Sequence, residues 1–150
     1  MKHTKLMAAA MGFAIAGAFA VSAQSAEMAN ITIVDGTVPA SLTGVPGDAA
    51  NGKKVAINRK KGNCLACHEM PIPEQQFHGQ TGPSLEGIGA NQSAAELRMR
   101  MVDSKVINAD TMMPSFLKSG QHRVLKKFEG KTILSAQEVE DVIAYLLTIK

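Results

Sequence analysis

Val139, Val142, Ile143, Leu146 and Leu147 recur at i, i+3, i+4, i+7 and i+8, one continuous apolar stripe along a helix near the end of the chain. Ser135-Ala136-Gln137-Glu138 opens that helix with the spacing of a capping box. The same device, Ser93-Ala94-Ala95-Glu96, predicts a helix running to about Asp103. A third helix is predicted from Asp48, a capable N-cap, to about Lys60, although Asn51 and Gly52 weaken its start. Ahead of it, Ile31-Thr32-Ile33-Val34 alternates like a short strand and runs into turn signals at Asp35-Gly36, Pro39, Gly44 and Pro46-Gly47. Gly79, Gly82-Pro83, Gly87, Gly89, Pro114, Gly120 and Gly130 punctuate the remaining loops, and there are no internal repeats. The expected fold class is mostly α with long loops, an architecture that calls for a ligand to organise it.

The start of the chain follows a different pattern. Lys2 and Lys5 precede a run from Leu6 to Val21 made almost wholly of Ala, Met, Gly, Phe, Ile and Leu, and Val21-Ser22-Ala23 ends it in small residues. A charged start, an apolar stretch and a small-residue cut site make a cleavable export signal. An uncleaved anchor is the alternative, but the run falls short of the ~20 residues that a span needs. The expected division is a signal peptide over 1–23, an irregular extension over 24–46 and one domain over 47–150. No later stretch is apolar enough for stable membrane insertion, so the expected location is the periplasm.

Composition sharpens this. The chain of 150 residues has a formal charge of +3, and loss of the leader removes two lysines and no acids, leaving +1. Such a balance gives no reason to expect nucleic acid as a partner. Basic residues cluster at Lys53, Lys54, Arg59, Lys60, Lys61 and again at Arg123, Lys126, Lys127, Lys131. Each run reads either as a solvated face or as a means of steering toward an acidic protein. With no Trp, one Tyr and five Phe, two of these in the leader, the domain is short of large rings to fill a core. A buried haem would supply the missing volume.

Cys64-Leu65-Ala66-Cys67-His68 has the spacing for haem attachment. Cysteines three apart on one helical turn face the same way, so both sulfurs can reach the vinyl groups along one haem edge. His68 then turns its imidazole onto the iron. A thioredoxin-like pair would need a strand–helix–strand context that is absent here. A zinc site would need four ligands at regular spacing, and His78 and His122 supply none.

A sixth iron ligand must come from the other side of the ring. Met70 is too close to His68, and Met99 and Met101 lie within a predicted helix, where Met is usually core filler. Met112-Met113-Pro114 sits in a loop, with Met113 placed 45 residues after His68. Met113 is preferred because it abuts Pro114, which stiffens the backbone and removes a competing amide. Met112, His78 and His122 stay open as alternatives, as does simple packing of the pair beneath the haem. A thioether ligand favours Fe(II), raises the potential and closes the iron to small molecules. In Gly82-Pro83-Ser84-Leu85, the Pro83 carbonyl can accept the other ring proton of the proximal His, and a plain turn is the competing reading.

Together these features resemble a class I cytochrome c: an early helix bearing Gly52, C-x-x-C-H at its end, Gly82-Pro83, Met113-Pro114, and a final amphipathic helix with Tyr145. The resemblance implies one covalent haem c and a close crossing of Gly52 against the Tyr145 region. Asn58–His68, Phe77–Leu85, Asn108–Pro114 and Ile133–Val142 resemble, more narrowly, the SoxX family of mono-haem cytochromes. That likeness implies a periplasmic heterodimer with SoxA and a complex that oxidatively joins thiosulfate to a cysteine of the carrier SoxYZ, an L-cysteine S-thiosulfotransferase. Electrons would pass on to a downstream acceptor. The catalytic cysteine would lie on SoxA, in keeping with a chain whose two cysteines are both in the haem motif. A free-standing electron shuttle is the alternative function. A haem sensor or peroxidase would require that Met113 not bind.

Overall fold

The computed structural model describes residues 31–121 and 124–150, so the expected leader, the first residues of the extension and His122 lie outside the described residues. The described chain is mostly α with long loops. Helix α1 spans Ala49–Ile57, α2 Ile88–Asn91, α3 Ala94–Asp103 and α4 Ala136–Leu146. Single 3-10 turns form at Cys64–Ala66, Ser104–Val106 and Lys126–Phe128.

Local chemistry accounts for the helix starts. Asp48 caps α1, its carboxylate accepting from Ala50 N at 2.8 Å and Asn51 N at 3.2 Å. Full capping boxes open α3 through Ser93 and Glu96, and α4 through Ser135 and Glu138. Helix α1 ends at Ile57, three residues short of Lys60, because Asn58 turns into an extended conformation and begins the next turn. The strand expected over residues 31–34 does not form. Val34 and Thr37 make an isolated bridge around Asp35 and Gly36, both at positive φ, and no second strand lies alongside among the described residues.

The core lies where α4 crosses α1, with α3 packed beside it. Val139 and Val142 are fully buried, as are Ala56 and Met99, with Val55, Leu97, Val102 and Ile143 nearly so. Each large apolar side chain buried this way contributes roughly 1.5–3 kcal/mol. The crossing is close enough that a Cβ on Gly52 would overlap the Asp141 carbonyl. Contact therefore falls one turn before Tyr145, the position the resemblance suggested. Asp141 also ties the helices by accepting from Asp48 N at 2.9 Å and Asn51 Nδ2 at 2.7 Å.

The extension is fastened to the domain. Val38 is buried, and its N–H donates to Ala95 O at 3.1 Å. Arg98 Nη1 donates to Val38 O at 2.8 Å and Pro39 O at 3.2 Å, while Leu42 N donates to Glu140 Oε1 at 2.7 Å. Arg98 and Glu140 themselves form a buried two-pronged ion pair at 2.8 and 3.1 Å. No helix among the described residues is long and apolar enough to cross a membrane.

Candidate haem site

Six residues separate the end of α1 from Cys64, so the attachment motif begins after a turn rather than at the helix end. Asn58 builds that turn: its carbonyl accepts from Lys61 N and Asn63 N, and its side chain from Lys60 N. Asn63 sits at φ +50°, a region that Asn tolerates better than most residues, and it redirects the chain into the 3-10 turn. Cys67 N and His68 N both donate to Cys64 O, at 3.1 and 2.9 Å, which closes Cys64–His68 into one compact loop. Leu65 anchors the loop in the core. The two cysteines differ, Cys64 half-buried and Cys67 exposed. Burial pushes the Cys64 thiol up to about 11, so it stays protonated near neutrality.

His68 is held from the side by the 79–83 segment. Its Nδ1 lies 2.7 Å from Pro83 O. A carbonyl only accepts, so Nδ1 carries a proton, and in the neutral ring this is the tautomer that leaves the Nε2 lone pair for a metal. Two glycines allow this approach. A Cβ on Gly82 would overlap the His68 ring, and one on Gly79 would overlap the Ala66 carbonyl. Their amides complete the seam, Gly79 N to Leu65 O at 2.7 Å and Gly82 N to Cys67 O at 2.8 Å.

The methionine pair divides by exposure. Met112 is 78% exposed, whereas Met113 is half-buried and packs against the core cluster that Cys64 and Leu85 also touch. Met113 is fixed at both backbone ends, its carbonyl accepting from Ser104 Oγ at 2.8 Å and its N–H donating to Thr111 Oγ1 at 3.2 Å. Met70, Met99 and Met101 are buried core residues. His78 accepts from Met70 N through Nδ1 at 3.3 Å, which ties it to backbone two residues from His68. Its Nε2 is buried with no partner within the described chain.

The structure thus gathers Cys64, Cys67, His68 and Pro83 into one bonded constellation and sets Met113, not Met112, against the same core. Two thiols on one loop, an imidazole with a free Nε2 and a partly buried thioether fit haem c. No three His, Cys, Asp or Glu side chains converge as metal ligands among the described residues, so a zinc donor set is not assembled there. The two basic runs also meet: Lys127 Nζ donates to Lys60 O at 2.7 Å, and Lys61 pairs with Glu138. Sequence reasoning missed the anchors on α3 and the role of Gly79. A glycine in a loop carries no signal of the carbonyl it must clear.

The cytochrome c family model matches residues 49–150 of the chain. The sequence is 37% identical to a chain in the crystal structure of SoxXA from P. pantotrophus, with a TM-score of 0.75. That similarity covers 85% of this chain and 98% of the other. No curated protein matches it.

Proposed function

This chain belongs to the cytochrome c family, with SoxX as its nearer kin, and we propose that it is the periplasmic electron-transfer subunit of a SoxAX complex. Cys64 and Cys67 would hold one haem c, which would supply a one-electron iron couple. His68 would ligate the iron through Nε2 while Pro83 O holds the Nδ1 proton, which keeps the imidazole oriented and a good donor. Met113 would supply a thioether ligand. The observation that carries the mono-haem reading is the single motif loop with His68 clamped by Pro83. The Sox assignment rests on identity that extends over nearly the whole of the SoxXA chain.

The complex would join a carrier thiolate of SoxYZ to thiosulfate, RS⁻ + S–SO₃²⁻ giving RS–S–SO₃⁻ and two electrons, which this chain passes singly to a downstream acceptor. The catalytic cysteine would lie on the partner SoxA, in keeping with a chain whose two cysteines, Cys64 and Cys67, are both in the haem motif. Arg59 and Lys60, joined by Lys127, orient the encounter rather than hold it, since rim charges mainly affect association rate.

Size-exclusion chromatography of the periplasmic protein in low and high salt, followed by thiosulfate-dependent haem reduction, tests the assignment. A permanent subunit stays bound to SoxA in high salt. Elution alone in both salts, with no reduction when SoxA and SoxYZ are supplied, would leave a free-standing shuttle as the account.

A further inference from the structure

Three consecutive residues at the end of α3 all bond to the loop that carries Met113. Ser104 Oγ donates to Met113 O at 2.8 Å, reaching the backbone of the ligand residue itself. Lys105 Nζ holds the ascending limb, donating to Thr111 O at 2.8 Å and Ala109 O at 3.2 Å. Asp103 holds the descending limb, accepting from Ser115 Oγ at 2.8 Å and Lys118 Nζ at 2.9 Å. Phe116 N adds a fourth tie, to Met101 O at 2.8 Å. Asp103 and Ser104 are buried, at 7% and 5% exposure.

Helix stability does not account for this set. A carboxylate at a helix C-terminus opposes the dipole and is locally unfavourable. Asp103 nevertheless occupies that position: Oδ1 accepts from Lys105 N at 3.2 Å, capping the 3-10 turn that follows, and the two oxygens also hold the loop. Ser104 likewise spends its hydroxyl on a carbonyl nine residues away rather than on its own helix end. Each side chain thus reaches beyond its own helix end to anchor the loop.

We propose that Asp103, Ser104 and Lys105 form a clamp that positions Met113 for iron ligation and governs how readily its sulfur is displaced. The clamp rests on the reading of Met113 as the sixth ligand. The thioether is a neutral ligand on a flexible side chain, so the lifetime of its bond depends on how far the loop can retreat. Backbone bonds on both sides of Met113 and at Met113 itself limit that retreat. These residues act through Met113 and are positioning residues.

The test uses the intact haem-bearing protein with imidazole as the displacing probe, read through the far-red sulfur-to-iron band of the oxidised form and the reduction potential. Ser104→Ala is expected to speed displacement about fivefold, the loss of one net hydrogen bond, and to lower the potential. Ser104→Thr, which keeps the hydroxyl, should restore both. Lys105 is exposed, so Lys105→Met folds even if Ser104→Ala does not, and it too should speed displacement. Val139→Ala, which opens a cavity in α4 away from the loop, lowers stability but should leave the displacement rate unchanged. Wild-type rates in Ser104→Ala and Lys105→Met would overturn the clamp while leaving the ligand assignment intact. A far-red band that persists in Met113→Ala would overturn both.

Discussion

Glu140→Gln isolates the fastening of the extension. Glu140 Oε1 receives Arg98 Nε at 2.8 Å and Leu42 N at 2.7 Å, and Oε2 receives Arg98 Nη2 at 3.1 Å. The two side chains are 8% and 7% exposed, so solvent screens the pair poorly. Glutamine keeps one accepting oxygen but sets an NH₂ against the Arg98 donor and leaves the guanidinium buried without a counter-charge. Breaking one side of a buried pair costs about 3–5 kcal/mol, and the retained oxygen favours the lower figure. At about 4 °C per kcal/mol, the melting temperature of the haem-bearing protein should fall by roughly 12 °C. Limited proteolysis supplies the local readout, because the segment around Val38–Leu42 loses its hold first. The double variant Arg98→Met/Glu140→Leu should recover much of the stability, since apolar replacement of a buried pair is often neutral. Even so, Val38 O, Pro39 O and Leu42 N stay without partners, and the extension should remain cleavable. A loss below about 1 kcal/mol in Glu140→Gln, the range of an exposed pair, with the extension still resistant, would mean that the pair does not anchor it.

Gly52→Ala should destabilise by about 1–3 kcal/mol in a denaturant melt despite the better helix propensity of Ala, because its Cβ meets a backbone carbonyl that cannot rotate away; an increase in stability would deny the close crossing. Cys64→Ala or Cys67→Ala should sharply lower covalent haem on a stained denaturing gel, and full haem in the double variant would sink the attachment assignment. Burial alone would raise the Asp141 pKa, but bonds from Asp48 N, Gln137 and Asn51 outweigh it and hold the carboxyl below its ordinary 3.8. A depressed folded pKa contributes stability above the unfolded value that is lost as pH falls through the folded one, so Asp141→Asn should flatten the acid limb of a stability profile below about pH 4. Equal acid sensitivity in wild type and variant would count against that carboxylate.

What the residues disclose in advance depends on distance along the chain. Capping boxes at Ser93 and Ser135 act over three residues, and both open helices where expected. The attachment motif and Gly82-Pro83 are equally local, and the Pro83 carbonyl lies against His68. Long-range pairings were not legible. Arg98 and Glu140 are 42 residues apart on different helices, and nothing local to either marks them as partners. Only the fold brings them together and places the extension across them. Gly52 shows the intermediate case. A small residue signals that something packs closely, but periodicity fixes the face of α4 without fixing its register, so the contact falls at Asp141. The strand-like run at residues 31–34 misled because alternation describes a strand that has a neighbour, and the chain provides a two-residue turn instead.

Helix α3 connects these observations. Its first turns, through Ala95 and Arg98, hold the extension; its last residue Asp103 and the 3-10 turn that follows, through Ser104 and Lys105, hold the Met113 loop. Neither segment has regular secondary structure, so side-chain bonds to a rigid helix add to the apolar anchors that each buries, Val38 in the extension and Phe116 and Leu117 after Met113. The rigidity comes from the burial of the helix itself, since Leu97, Met99, Met101 and Val102 are in the core. Two requirements of an electron-transfer site are met by this division. Ligands must stay in place when the iron changes charge, which favours bonds at fixed positions over loops that adapt. The attachment loop, by contrast, would have to present both sulfurs to the haem, and it is held from behind, by Leu65 in the core and by the glycine-lined seam at 79–82.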